Sequence, residues 1–212
     1  MIRLLLKIKH RLPFLWRGIE QVNSLLFLIL HSRRLMSNAR ACLEQYRLEG
    51  FSFRLLTPAD GAALSAFLTR QPAARMEFFK PHGFDLQSVM RRAKDPAFIM
   101  FGTFRDEALV GYFFLRCFWN RKAFVGRAID EEWEGQGIGR VMNKILYNTA
   151  WESGFKCLTT ISKNNHSVIR SHANNSTSRV IGDLPNDYML VEMVPPDRKS
   201  AGTPVRDRMA VD

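Results

Sequence analysis

The sequence predicts an α+β domain built on one mixed, mostly antiparallel sheet flanked by helices, with a helical extension at its N-terminus. Two apolar runs at residues 98–104 and 109–115 are separated by four residues, which is typical of an antiparallel hairpin. A glycine-rich turn at residues 135–139 joins a strand to a helix. The order of segments is strand–helix–helix–strand–strand–strand–helix–strand–helix–strand, which matches neither a Rossmann alternation nor a barrel.

The first elements of the domain are indicated by alternation and by a helix-start pattern. Residues 51–55 alternate apolar and polar side chains, as a half-buried strand does. Thr57 as N-cap, Pro58 at the first helical position and Asp60 in the first turn predict a helix that runs to about Thr69. A second, short helix is predicted near residues 85–94.

The later elements surround the glycine turn. A strand is predicted at residues 123–130, and the helix after the turn ends near Gly154, a typical residue just beyond a helix C-terminus. The buried face of this helix is predicted from apolar residues at i, i+3 and i+4 spacing: Val141, Met142, Ile145, Leu146 and Ala150. A buried strand at 157–161, a short helix at 167–173 and a closing strand at 188–193 complete the sheet.

Composition fits one ordinary globular domain with an appendage. The chain has 212 residues, of which 46% are hydrophobic and 24% are charged, so it can bury a core. We divide it into a basic helical extension (1–50), the main domain (51–194) and a polar, disordered tail (195–212). Three isolated cysteines without a C-x-x-C pair indicate free, buried thiols and a reducing, cytoplasmic compartment.

The first fifty residues are strongly basic, with nine Lys/Arg against three Glu, or +6 of the total net charge of +11. Their longest uncharged stretch, residues 21–32, spans only ~18 Å as a helix, too short for a hydrocarbon core of ~30 Å. Charged residues before and after this stretch also argue against a cleaved signal peptide.

Two interpretations of this extension stay open. In one, residues 1–47 lie as a basic amphipathic segment on an anionic membrane surface, with Phe14 and Trp16 at the headgroups. In the other, helices at about 14–35 and 36–47 pack on the domain or on a second copy of it, as in a homodimer. Nucleic acid is a weaker partner, because the basic and aromatic interleaving does not continue into the main domain.

The glycine turn indicates an anion site. Three glycines within residues 135–139 allow a tight bend and present consecutive amides at a helix N-terminus, where phosphate binds well. A P-loop is excluded because no Lys-Ser/Thr pair follows the glycines. A dinucleotide fold is excluded because the turn follows the fourth strand rather than the first.

Together with three other segments, this turn resembles the GNAT acetyltransferases over about two thirds of the chain. The segments are the opening at residues 53–60, the hairpin, and residues 163–169, which look like the family's Asn-x-x-Ala-Ile pattern. The turn stands in place of the family's Q/R-x-x-G-x-G/A signature, with Glu134 where Arg or Gln is preferred. A carboxylate ~6 Å from a phosphate costs about 0.7 kcal/mol in water-like surroundings, less than several backbone hydrogen bonds contribute.

The resemblance implies a V-shaped split between the fourth and fifth strands that holds the pantetheine arm of acetyl-CoA. It implies main-chain contacts to the arm from the fourth strand: Ala128, Ile129 and Asp130. It implies contacts to the diphosphate from the turn: Gln136, Gly137, Ile138, Gly139 and Arg140. Asn165 would lie beside the cofactor across the split, and an N–H near Ile129 would polarise the thioester carbonyl.

Two histidines are candidate catalytic residues. The family commonly places a tyrosine acid seven residues beyond the Asn of its late helical segment, and that position, counted from Asn165, is His172. An imidazole is able to donate to a leaving thiolate. His82 lies in a Pro-His stretch that resembles an acceptor-lining segment of some GNAT proteins, so it is a candidate base or substrate contact. The histidines and cysteines lack ligand spacing, which predicts no metal site.

These residues predict a cytoplasmic N-acetyltransferase that uses acetyl-CoA and a direct attack by an acceptor amine. A small acceptor, such as an amino sugar of envelope polysaccharide synthesis, is the preferred interpretation. One alternative is acetylation of a protein N-terminus or lysine. Another is a non-catalytic, membrane-associated module that binds acyl-CoA.

Overall fold

The computed structural model describes residues 13–173, 177–196 and 203–204. Its strands, in chain order, are β1 (Ser52–Leu55), β2 (Phe98–Arg105), β3 (Ala108–Cys117), β4 (Lys122–Ile129), β5 (Lys156–Ser162), β6 (Ser178–Leu184), β7 (Tyr188–Met193) and β8 (Thr203–Pro204). Its α-helices are α1 (Pro13–Leu30), α2 (Ser32–Gln45), α3 (Gly61–Arg70), α4 (Ala73–Met76), α5 (Leu86–Ala93), α6 (Ile138–Glu152) and α7 (His166–Ala173).

All these strands form one sheet in the order β1-β2-β3-β4-β5-β7-β6-β8. The predicted hairpin is present as β2 and β3, with Phe101 opposite Phe113. Neighbouring strands are antiparallel except β4 and β5, which run parallel. The mixed α+β fold and the mostly antiparallel sheet predicted from the sequence are therefore confirmed.

The parallel pair opens into a V. Pairing between β4 and β5 covers three residues and ends at Phe124 opposite Leu158. Beyond that point β4 continues to Ile129 and β5 to Ser162, and no register joins them. Thr159 Oγ1 of β5 still donates to the carbonyl of Val125 at 3.2 Å, so the backbone edge of β4 is open toward β5 from Gly126 to Ile129, where the predicted split lies.

The two faces of the sheet carry separate apolar cores. On one face α6 packs against β4 and β5, with Met142 and Ile145 fully buried among residues such as Phe113. On the other face α3 and α5 cover β2 and β3, with Phe67 and Tyr112 fully buried. The predicted periodicity of α6 is confirmed, and Gly154 follows its C-terminus with φ +80°.

The helical extension packs on the domain. Phe27 of α1 and Leu35, Ala39 and Cys42 of α2 are fully buried in the same core as α6. The boundary between the helices falls at His31, earlier than the predicted break near residue 35, because Leu35 packs inward on α2. Residues 1–12, which carry part of the predicted basic segment, lie outside the described residues.

Strand β6 was not predicted from the sequence. Its strand pattern is weak because it contains Gly182 and Asp183, and its register against β7 shifts between Val180 and Gly182. Pairing with β7, rather than local propensity, holds it in the sheet. The tail predicted from residue 195 lies mostly outside the described residues, but its Thr203–Pro204 segment pairs with β6.

Candidate active site

The turn before α6 presents free amides. Gly135 and Gly137 have φ of +78° and +85°, a left-handed conformation that suits glycine, while Ile138 is buried and anchors the helix start. Within the described residues, no acceptor bonds the backbone amides from Gln136 to Gly139. The amide of Arg140 differs from them, because it donates to the carbonyl of Gly137 at 3.0 Å. The turn therefore offers four donors, and the guanidinium of Arg140 is exposed beside them.

Successive residues of β4 point their backbone N–H and C=O groups alternately toward β3 and toward β5. The amide of Asp130 donates to Val110 of β3 at 2.9 Å, so Asp130 and every second residue before it bond to β3. The residues between them direct their N–H and C=O groups into the split. Ile129 and Arg127 are those residues in the open part of β4.

This alternation corrects the predicted arm contacts. Of the three predicted residues, only Ile129 turns its backbone groups toward the split. Ala128 uses its backbone groups against β3. Asp130 donates its N–H to Val110 of β3, and its carbonyl accepts from the amide of Trp133 at 3.0 Å. Arg127 had no predicted role, although its backbone faces the split. The carbonyl of Ile129 already accepts from Arg75 at 3.2 Å, which leaves the Ile129 N–H as its free group.

Glu134, the residue that departs from the family signature, is paired. Its carboxylate forms an ion pair with Arg75, whose pKa is raised mainly by this hydrogen bond. Arg75 lies on α4, a short helix that was not predicted from the sequence. The pair neutralises the negative charge beside the turn, so the repulsion expected between Glu134 and a phosphate is removed.

Asp130 is similarly occupied. One carboxylate oxygen forms an ion pair with Arg70, and the other accepts from the side chain of Gln71. Both partners lie where α3 ends, so α3 is fastened to the end of β4. Both carboxylate oxygens of Asp130 are thereby occupied, whereas Glu131 is exposed and its nearest ion-pair partner, Arg75, is 4.0 Å away.

Arg127 brings a positive charge under the turn, which the sequence did not reveal. Its Nε donates to Asn143 Oδ1 of α6 at 2.9 Å. A Cβ atom at Gly139 would lie 2.8 Å from its Nη1, so glycine at this position makes room for the guanidinium. Burial lowers the pKa of Arg127, while Tyr147 and Glu134 partly offset that effect. The only sequence signal was an arginine among otherwise uncharged residues at positions 123–129.

His172 lies on α7 across from Arg127, in a state that does not suit the predicted acid. Its Nδ1 is 3.1 Å from Ser178 Oγ, and that hydroxyl donates onward to Met193 Sδ. The ring therefore donates through Nδ1, which leaves Nε2 without a proton. Burial, followed by the charge of Arg127, lowers the pKa of His172 to about 4. A neutral imidazole whose Nδ1–H is already bonded to Ser178 has no proton for a leaving thiolate.

His82 is held inside the other face of the sheet. Its Nδ1 donates to the carbonyl of Gly83 at 2.7 Å, and its Nε2 therefore accepts from the hydroxyl of Tyr112 at 3.0 Å. Burial lowers the pKa of His82. Tyr112 lies opposite Ala128 of β4, so His82 reaches the strand at the split only through Tyr112.

Asn165 caps α7. Its Oδ1 accepts from the amide of Val168 at 3.2 Å, and its own amide donates to Ser162 at the end of β5. Its side-chain NH2 group has no hydrogen-bond partner among the described residues. The structure thus brings Asn165 and His172 to the β5 side, opposite the turn and β4, whereas His82 belongs to the other face.

Comparison with known proteins agrees with this geometry. The sequence model of the acetyltransferase (GNAT) family matches residues 64–174. Among curated proteins, none matches the chain. Two similar solved structures are the PaiA N-acetyltransferase of Thermoplasma acidophilum in complex with coenzyme A (TM-score 0.59, 14% identity, 68% of this chain and 99% of that chain) and the ribosomal-protein-S5-alanine acetyltransferase of Vibrio fischeri (0.55, 14%, 73% and 98%).

A third similar structure is AAC(6′)-Ib in complex with paromomycin and acetyl-CoA. Its TM-score is 0.54 at 16% identity, and the alignment covers 72% of this chain and 100% of that chain. At these identities the likeness establishes the fold. The second of these proteins is named for a ribosomal protein and the third is bound to paromomycin, so the fold leaves the choice of amine to the residues around the split.

Proposed function

Because this chain belongs to the acetyltransferase (GNAT) family, whose model spans more than half of it, we propose that it transfers the acetyl group of acetyl-CoA to a primary amine of a small molecule. It is an acyl-CoA N-acyltransferase, and acetyl-CoA is its co-substrate. The observation that carries the proposal is the open edge of β4 directly beside four unbonded amides at the start of α6.

We assign the diphosphate of the co-substrate to the turn. The amides from Gln136 to Gly139 and the dipole of α6 favour an anion there, and Arg140 and Arg127 add positive charge from outside and from beneath. This arrangement takes over the role of the Arg or Gln that the family signature has in place of Glu134.

The thioester arm is assigned to the open edge of β4. Arg127 and Ile129 supply the backbone groups that face the split, as an additional strand would require. The Ile129 N–H is the donor best placed to polarise the thioester carbonyl as the amine attacks. The Asn165 side-chain NH2 bounds the arm from the β5 side.

A small acceptor is favoured by the way the other face of the split is closed. Phe79 packs over Gly126 of β4 and against Tyr112, so the segment between α4 and α5 covers this face. Two acids at the rim are also neutralised, since Asp130 pairs with Arg70 and Glu134 pairs with Arg75, while Glu131 and Glu132 stay exposed. A groove for a cationic peptide would instead keep free carboxylates along an open surface.

Within small amines we favour an amino sugar of envelope polysaccharide synthesis. The surplus of +6 in residues 1–50 draws the chain toward an anionic membrane surface, where such glycans are assembled. Acetylation of a protein N-terminus or lysine is the alternative enzyme function. A non-catalytic acyl-CoA-binding module is the alternative outside enzymes.

Thiol release from acetyl-CoA with a panel of amines tests the proposal. The panel holds amino sugars, their nucleotide-linked forms, and peptides with a free N-terminus or an internal lysine. We expect the highest kcat/KM on an amino sugar. Higher kcat/KM on either peptide would mean that the acceptor is a protein amine and not a small molecule. Tight binding of acetyl-CoA without thiol release on any amine would mean that the chain is a binding module.

A further inference from the structure

Helix α1 turns its polar face toward the protein. Its inward polar side chains make specific bonds to the end of the sheet, to the last turn of α5 and to the segment after α5. Glu20 pairs with Arg116 at 2.8 Å and with Arg92 at 3.2 Å. Asn23 and Ser24 continue the same face, since Asn23 bonds the backbone of Cys117 and Trp119, and Ser24 donates to Asp95 at 2.6 Å.

The opposite face of α1 is apolar and exposed. Val22, Leu25 and Ile29 follow one another at spacings of three and four, which places them on one side of the helix, and they are 58%, 56% and 69% exposed. Other large exposed apolar side chains border them: Ile19, Leu28, Leu30 and Trp119. We call this set the outer face of α1. An ordinary surface helix has the reverse arrangement, so this face requires a cover.

The charges around the outer face are positive. Between residues 13 and 43 the only acid in the sequence is Glu20, and it is turned inward to its two arginines. Arg17 is exposed on α1, and Arg33 and Arg34 line one surface depression together with Ile29 and Leu30. The N-terminal segment that precedes α1 has further lysines and arginines in its sequence.

We propose that the outer face of α1 docks on an anionic lipid bilayer, with the helix lying parallel to the membrane. Its apolar side chains enter the interface and the arginines meet lipid phosphates, the combination that holds interfacial helices. Trp119, which shares a cleft with Ile19 and Val22, belongs at headgroup level. No helix in the described part of the chain is long and apolar enough to cross a bilayer.

A second copy of the chain fits this surface less well than a bilayer. A two-fold contact through the outer face would bring Arg17, Arg33 and Arg34 of both copies together, and the face offers no acid to pair with them. An anionic membrane supplies the missing negative charge. The outer face of α1 is thus the surface for the membrane contact inferred above. Its docking does not depend on acetyl transfer, so a failure of vesicle binding and a failure of turnover can be told apart.

Vesicle co-sedimentation of the full chain tests the docking surface. We expect binding to phosphatidylcholine vesicles with about 30% phosphatidylglycerol, weaker binding without the anionic lipid, and a loss on raising NaCl from about 0.1 M to about 0.5 M. The double variant Leu25→Asp with Ile29→Asp should lower the partition coefficient at least about tenfold. Because both side chains are exposed, its thermal midpoint should match the parent's.

The matched control is Leu86→Asp, which changes an exposed leucine at the start of α5, the opposite end of that helix from the Arg92 that pairs with Glu20, and should leave vesicle binding unchanged. Arg17→Glu with Arg33→Glu should remove most of the salt dependence. Unchanged binding by the Leu25/Ile29 variant, or no binding of the parent to anionic vesicles, would overturn the proposal. So would a parental dimer in sedimentation velocity that the same variant dissociates, because the cover would then be a second copy.

Discussion

At the scale of single residues, Arg127 explains how this chain tolerates Glu134 in its glycine turn. Arg75 neutralises the carboxylate from one side, and Arg127 places a guanidinium against Gly139 from the other. Within the described residues that guanidinium makes only one hydrogen bond, from Nε to Asn143 Oδ1. Its remaining N–H groups are therefore available to the anion that we assign to the turn.

Replacing Arg127 with glutamine should therefore weaken acetyl-CoA far more than a ligand that lacks the diphosphate. A hydrogen bond to a charged group contributes about 1.5–3 kcal/mol, so we expect the Kd of acetyl-CoA to rise about ten- to a hundredfold. The Kd of S-acetylpantetheine, which has the arm alone, should stay the same. Isothermal titration calorimetry with both ligands measures the difference.

Arg116→Gln is the control for loss of a partly buried arginine, since Arg116 lies at the far end of β3 and pairs with Glu20. It should leave both affinities unchanged. Equal weakening of acetyl-CoA and S-acetylpantetheine by Arg127→Gln would show that Arg127 supports the fold of the split and does not bind the diphosphate.

His172 gives the molecule a pH-dependent stability. Its pKa of about 4 lies below the ordinary value of 6.5, so between these values the unfolded state binds the proton and the folded state does not. Its contribution is complete above pH 6.5 and is lost as the pH falls toward 4. By linkage this amounts to about 2 kcal/mol between pH 7.5 and pH 5.

His172→Gln should remove that part of the pH dependence, because an amide retains a donor for Ser178 and does not titrate in this range. Urea unfolding at pH 7.5 and pH 5 gives the two free energies for each protein. The parent should lose about 2 kcal/mol more than the variant on acidification. An equal loss in both proteins would mean that His172 is not held neutral in the folded state.

At the scale of elements, successive residues of β4 point their backbone N–H and C=O groups alternately toward β3 and toward the split, and this alternation determines which groups are free. Gly126 and Ala128 bond to β3, whereas Arg127 and Ile129 face the split. Hydrogen exchange observed by NMR should therefore show protected amides at Gly126 and Ala128 and exchange at least about tenfold faster at Arg127 and Ile129. Addition of acetyl-CoA should slow the fast pair. Slow exchange at Arg127 and Ile129 in the free protein would mean that the split is closed.

The sequence predicted elements whose own residues specify them. Helix α6 was predictable because its apolar spacing, its glycine turn and Gly154 agree with one another. Strand β6 was not, because its place in the sheet depends on β7 across a register shift. The backbone direction of Ala128 and Asp130 follows from the pairing of Asp130 with Val110 on a neighbouring strand. The position of Arg127 follows from its contact with Asn143 on α6. Neither contact can be predicted from spacing along the sequence.

At the scale of the whole molecule, α1 and α2 complete the main core while α1 also presents an apolar surface. Phe27 and Leu35 are fully buried against the domain, although the sequence divides the chain near residue 50. Their burial joins the helices to the sheet through α6. We therefore expect the extension to fold together with the domain, which would hold the membrane surface proposed for α1 at one orientation to the split.

Substitutions of two leucines, one buried on α2 and one exposed on α1, distinguish the contribution of these helices to the core from their contribution to membrane binding. Leu35→Ala opens a cavity under α2 and should lower the free energy of unfolding by about 2–5 kcal/mol. Leu25→Ala removes the same atoms from an exposed side chain and should stay within about 0.5 kcal/mol of the parent while weakening vesicle binding. Urea denaturation compares them. A large loss for Leu25→Ala would mean that the outer face already packs against protein, and a small loss for Leu35→Ala would mean that the extension is a separate appendage.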